Sequence, residues 1–145
     1  GIAGATEAVK QACNAMKEAG AKMAVMLKVS APFHSIMMEP AAVKLKEVLD
    51  TVTIQDAQMP VYANYNAAAE IKADDIRKNL VLQAAHPVLW DASIQQMIAD
   101  GADLMIEAGP GTVLSGFMKR INRRIRTLHA EDVETVTNVL NTWEE

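Results

Sequence analysis

His34 is the residue whose surroundings best fit chemistry. It follows an apolar, alternating run and Pro32-Phe33, so it sits on a loop at the end of an extended segment. Loops at strand ends commonly carry the reactive groups of α/β proteins. Taken alone, a single histidine has two readings: a structural or solvent-facing ring, or a general base. His86 and His129 have only the first. The four serines, Ser30, Ser35, Ser93 and Ser115, are not in a G-x-S-x-G context, so none reads as a nucleophile at a strained strand-to-helix elbow. No H-x-x-x-H, C-x-x-C or paired-carboxylate pattern points to a metal, and none is expected. Gly109-Pro110-Gly111-Thr112 resembles a phosphate cradle only in having two glycines. It lacks the full G-x-G-x-x-G and a P-loop lysine, and a structural turn between strand and helix explains it better.

Bulk composition narrows the classes. A chain of 145 residues suits one modest domain with a real core, and half the residues are apolar, which argues against disorder. A net charge of −4 is a poor match for nucleic-acid binding, which wants a basic field. No apolar run approaches the roughly 18 residues of a membrane span, and no signal peptide is legible. The single cysteine, Cys13, is consistent with a reducing, cytoplasmic setting. Nine methionines suggest an adaptable core or pocket, or simple compositional drift.

Elements must position these residues. Helical spacing over 5–19, with Gly20 at its end, predicts a first helix. Met23–Ser30 alternates and predicts a strand leading into the His34 loop. Pro40 suits the first turn of a second helix with Leu45, Val48, Leu49 and Val52 inward. Met59–Tyr65 reads as a short strand. Asp74 can cap a third helix that ends at His86-Pro87, and Asp91 a fourth that Gly101 closes. Ala102–Glu107 reads as a buried parallel strand, followed by a helix carrying Val113, Leu114, Phe117, Met118 and Ile121 inward. A strand near Arg126–Ala130 and a helix near 131–143 complete the chain. Strands separated by helices imply an α/β architecture with parallel pairing. The opening Ile2-Ala3-Gly4 reads as the tail of a strand already under way, so a fragment of a longer protein is expected.

Four ordered blocks carry a family resemblance across essentially the whole chain. Leu27-Lys28-Val29-Ser30-Ala31-Pro32-Phe33-His34-Ser35, with Pro40 beyond, resembles the histidine segment of bacterial malonyl-CoA:acyl-carrier-protein transacylases. Pro60-Val61-Tyr62-Ala63-Asn64 resembles their P-V-x-x-N strand. Ile76-Arg77, Leu80-Val81, Gln83 and Pro87-Val88-Leu89-Trp90 resemble their I-R…L-V-x-Q…P-V-x-W block. Glu107 to Gly116, with Lys119-Arg120, resembles their E-x-G-P-G-x-V-L-x-G…K-R block.

The resemblance implies an α/β fold: part of an α/β-hydrolase-like acyltransferase core, a parallel sheet with flanking helices, plus the last helix and strand of a ferredoxin-like subdomain. Residues 1–30 would be that subdomain's remnant and 31–145 the C-terminal part of the core. It also implies transfer of malonyl from malonyl-CoA to the phosphopantetheine thiol of acyl carrier protein, through an acyl-serine intermediate and without a cofactor. His34 matches the base, and Gln83 the residue whose backbone carbonyl orients it. Phe33 matches an aromatic that limits room for an α-substituent. Asn64 matches an asparagine near the histidine loop. Ala85 departs from the aromatic many members carry there, which puts local packing in doubt. The family's serine lies upstream of this chain, so the partners implied are acyl carrier protein, malonyl-CoA and the missing N-terminal half, with no nucleic acid and no membrane. Lys119, Arg120, Arg123, Arg124 and Arg126 are either a solvated helix end or a docking site for an acidic carrier protein. Two other readings stay open: an acyltransferase domain of a polyketide synthase, and a non-catalytic carrier-protein-binding fragment.

Overall fold

Helix ends fall where local chemistry puts them. In a computed structural model that describes residues 2–143, helix α1 spans Thr6–Glu18. Gly20 stops it in a left-handed conformation, φ 93°. Its N–H donates to Lys17 O at 3.0 Å and that of Ala21 to Met16 O at 2.9 Å, which satisfies two of the last carbonyls. A 3₁₀ turn, Ile36–Met38, leads into α2, Glu39–Thr51, with Pro40 in its first turn. Strands β1, Val61–Tyr62, and β2, Ala69–Glu70, pair antiparallel. Helix α3 spans Ala73–Leu82 and α4 Trp90–Ala99. Strand β3, Leu104–Ala108, pairs parallel and in register with β4, Arg126–Ala130, with α5, Val113–Ile121, as the crossover; α6, Val133–Trp143, closes the chain.

The chain divides into two compact units, Gly1–Trp90 and Asp91–Glu145, rather than the single domain its length suggested. The strands explain part of this, since β1–β2 and β3–β4 form separate two-stranded sheets.

Five further expectations change. Met23–Ser30 forms no strand: its alternating side chains are present, but no described segment pairs with its backbone, and without a ladder there is no strand. Met23 and Leu27 stand 79% and 76% exposed. The Met59–Tyr65 strand shrinks to two residues and pairs antiparallel with a partner too short to show a period. Asp74 does not cap α3. Asp56, seventeen residues before Ala73, takes that place, accepting from Lys72 Nζ at 2.8 Å and from Ala73 N at 2.9 Å. Those two donors hold the Asp56 carboxyl below its usual range. Asp91 likewise falls inside the first turn of α4 rather than at its cap, and α3 ends at Leu82, before His86-Pro87.

The core is small. Among the described residues, the buried apolar side chains are Ala42, Ala85, Ile94 and Met118. Leu45 and Val48 of α2, Val52 at its C-cap, and Val113, Leu114 and Phe117 of α5 were expected inward but are exposed. Their helical spacing is real; the surface that would cover them is not supplied by the unit each belongs to. No described helix is long and apolar enough to cross a membrane.

Candidate active site

In the first unit, two loops deliver the site. The turn from Ala31 to Ser35 is pinned by Ser35 Oγ, which donates to Pro32 O at 2.6 Å. His34 itself is left-handed, φ 58°. For a residue with a Cβ that conformation costs about 1–2 kcal/mol, and a strained residue of this kind commonly marks a functional position. Nothing in the sequence announces it: histidine is several-fold enriched in left-handed backbone, but from a base of only a few per cent of residues.

His34 Nδ1 lies 3.0 Å from the backbone oxygen of Gln83, the C-cap of α3. A carbonyl oxygen can only accept, so Nδ1 carries the proton and Nε2 presents its lone pair. That oxygen belongs to the last turn of α3, where carbonyls lack intrahelical partners and carry the negative end of the helix dipole. The helix therefore offers an acceptor that the imidazole satisfies. His34 and Gln83, 49 residues apart in sequence, are thus brought together.

The other two candidates are placed less decisively. Phe33 neighbours His34 in the chain and is about half exposed, at 48%. Asn64 follows β1, where its backbone oxygen accepts from Leu89 N at 2.8 Å. No hydrogen bond joining Asn64 to His34 is seen among the described residues. Ser35 turns back to Pro32, and Ser93 is buried in α4. Ala85 is itself buried, so its small side chain fits a tight position. His86 is structural: Nδ1 donates to Leu82 O at 2.7 Å, and its ring meets Tyr65 edge to face at 4.8 Å.

In the second unit, Glu107 at the end of β3 caps α5. Its carboxylate accepts from Leu114 N at 3.0 Å, Ser115 N at 2.8 Å and Ser115 Oγ at 2.6 Å. The Ser115 hydroxyl and amide hold the Glu107 carboxyl below its usual range. Glu131 fixes the preceding turn, accepting from Gly111 N at 2.5 Å. Within the Gly109–Thr112 turn, the Gly111 amide is thus engaged by the Glu131 carboxylate and the Gly109 amide by Ala130 O at 3.0 Å, as a structural turn should be. Farther along, Lys119, Asn122, Arg123, Ile125 and Thr127 line a concavity of about 370 Å³ with two cations at its rim. No cluster of metal-ligating side chains occurs among the described residues.

Comparison with known proteins gives the arrangement a context. No protein-family model matches the chain. The malonyl CoA-acyl carrier protein transacylase of Bacillus subtilis (strain 168) is 45% identical over 144 residues, 99% of this chain but 45% of the relative. The crystal structure of an acyl-carrier-protein S-malonyltransferase from Burkholderia pseudomallei 1710b superposes with a TM-score of 0.90 at 37% identity, covering 95% of this chain and 45% of that one. A structure of a holo acyl-carrier protein of type II PKS, bound to its malonyl-transacylase, matches with a TM-score of 0.89 at 37% identity, over 94% of this chain and 44% of that one.

Fold and match together define the class: the chain has the α/β architecture of an acyltransferase core, with helices flanking a parallel strand pair. More particularly, it is homologous along nearly its whole length to the malonyl CoA-acyl carrier protein transacylases, and it spans less than half the length of the relatives it matches.

Proposed function

We propose that this chain is the C-terminal part of a malonyl-CoA:acyl-carrier-protein transacylase and supplies its general base, His34. The observation that carries this reading is the 3.0 Å contact from His34 Nδ1 to Gln83 O, in a chain 45% identical to a transacylase of that name.

With Nδ1–H committed to the carbonyl, Nε2 is free to take a proton. A serine on the upstream segment would give its hydroxyl proton to Nε2 while its oxygen attacks the malonyl thioester. Collapse of the tetrahedral adduct breaks the C–S bond, and the imidazolium returns the proton to the departing coenzyme A sulfur. The phosphopantetheine thiol of acyl carrier protein then gives its proton to Nε2 and attacks the acyl-serine. The serine oxygen leaves and is reprotonated from the ring. One base serves both halves, and a backbone carbonyl rather than a carboxylate orients it.

On this reading residues 1–30 are the end of a ferredoxin-like subdomain and 31–145 belong to the core. Phe33 bounds the acyl pocket beside the base, Asn64 supports the histidine loop, no cofactor takes part, and the setting is cytoplasmic. Acidic carrier protein docks on the basic surface around Lys119 and Arg123. The solved complex of a malonyl-transacylase with its carrier protein supports a carrier partner.

The test compares three preparations in a malonyl-transfer assay with holo acyl carrier protein. The 145-residue chain alone should be inactive, the full-length enzyme active, and the full-length His34→Asn variant slower by about 10²–10⁴, the usual loss of a general base. Transfer by the isolated chain, or full activity in His34→Asn, would overturn the reading. Carrier binding by the chain without any transfer in the full-length enzyme would point instead to a non-catalytic binding module.

A further inference from the structure

Glu70 ends β2 and is 8% exposed, a carboxyl group withdrawn from water with no ion pair to it among the described residues. Its Oε1 accepts from Asn66 Nδ2 at 2.6 Å and from Asn79 Nδ2. Its Oε2 is buried with no partner among the described residues. The two amides converge on Oε1 and so tie the β1–β2 turn to α3 through one side chain.

What they hold is the last turn of α3. Asn79 is itself buried, at 6% exposure, and its side chain is clamped by Glu70. Its backbone oxygen accepts from Gln83 N at 3.0 Å. Gln83's own oxygen then receives His34 Nδ1. The connection is continuous: the Glu70 carboxylate fixes Asn79, Asn79 fixes the peptide of Gln83, and Gln83 fixes the ring. Asn66, on the same carboxylate, restrains the β1–β2 turn, where Ala67 is left-handed at φ 55°.

We propose that Glu70 is a positioning residue for the base: through Asn79 it sets the direction of the Gln83 carbonyl and so keeps His34 in the Nδ1–H tautomer. The functional weight of this rests on reading His34 as the base, but the structural claim can be measured without any turnover. The required property of residue 70 is an acceptor oxygen where Oε1 lies. Glutamine can supply one, and it places a neutral amide where the unpartnered Oε2 now sits. Methionine fills the volume and supplies no acceptor.

The experiment is long-range ¹H–¹⁵N NMR of the histidine rings in the 145-residue chain, at a pH where they are neutral. The wild type should show His34 predominantly as Nδ1–H. Glu70→Gln should keep that population. Glu70→Met should lower the Nδ1–H to Nε2–H ratio roughly two- to tenfold, the worth of one neutral hydrogen bond. Asn79→Ala should do the same, and the double variant should add nothing further, because both changes cut one chain of contacts. Amide protection in α2 and the first turn of α3 reports whether the unit remains folded; if Glu70→Met loses it, Asn79→Ala carries the same test. An unchanged ratio in a folded Glu70→Met or Asn79→Ala variant would overturn the proposal, as would Glu70→Gln behaving like Glu70→Met. These outcomes do not depend on malonyl transfer. A shifted tautomer alongside full activity in His34→Asn would sink the catalytic reading and leave the positioning role standing.

Discussion

The left-handed backbone of His34 decides which substitutions report on chemistry. Asparagine tolerates φ near 58° and has no ring nitrogen for proton transfer, so His34→Asn removes the proposed base with little added strain. Alanine must pay about 1 kcal/mol or more for the same conformation. In thermal melts of the full-length protein, His34→Ala should therefore be less stable than His34→Asn, while on the proposed reading both slow malonyl transfer to a similar extent; equal melting temperatures would mean the loop relaxes. His34 was legible as a candidate because Pro32 and the alternating run marked a loop at the end of an extended segment. Its contact to Gln83 was legible only through family resemblance, since the bond joins a side chain to a backbone atom 49 residues away. The backbone conformation of His34 and the Glu70–Asn79 clamp were not legible at all. Both depend on tertiary neighbours rather than on residue type or period.

Single caps and stops govern the helices. Gly20 ends α1 at φ 93°, so Gly20→Ala should destabilise that end by about 1 kcal/mol, measurable as faster amide exchange in residues 14–21. Glu107 carries the N-terminus of α5 on three hydrogen bonds that need its carboxylate. Its carboxyl is held below the usual range by the Ser115 hydroxyl and amide. Its contribution is therefore fully present above the ordinary glutamate value and fades as pH falls through the lowered one. Amide exchange at Leu114 and Ser115 should quicken in that acid window, and Glu107→Gln should abolish this pH response. A wild type with flat exchange across that range would contradict the cap. At this scale the sequence was most readable. The α1 stop, Pro40, the crossover around α5 and the Arg126–Ala130 strand all follow from local composition and period. Asp56 escaped notice because a cap that reaches across sixteen intervening residues leaves no local mark.

The charge of the whole chain is small, yet its cations are concentrated. If the full-length protein is the proposed transacylase and docks its carrier here, reversing the charges of Arg123 and Arg124 to glutamate should raise KM for carrier protein severalfold and blunt its salt dependence, with kcat nearly unchanged. A KM that neither moves nor responds to salt would remove the docking role. The exposed apolar residues of α2 and α5 were predicted as inward faces from period alone, and the period was right about apolarity but silent about what would cover it. The stretch from Met23 to Val29 presents this most acutely. Of its seven residues, with one charge and no proline, all but Ala24 are exposed, and the backbone is unladdered. Such a window is the composition from which cross-β stacking grows when nothing caps it, with Lys28 as its only gatekeeper. The solubility of the isolated chain should then be kinetic: clear when fresh, and nucleating thioflavin-positive fibrils with a concentration-dependent lag that Val25→Lys lengthens.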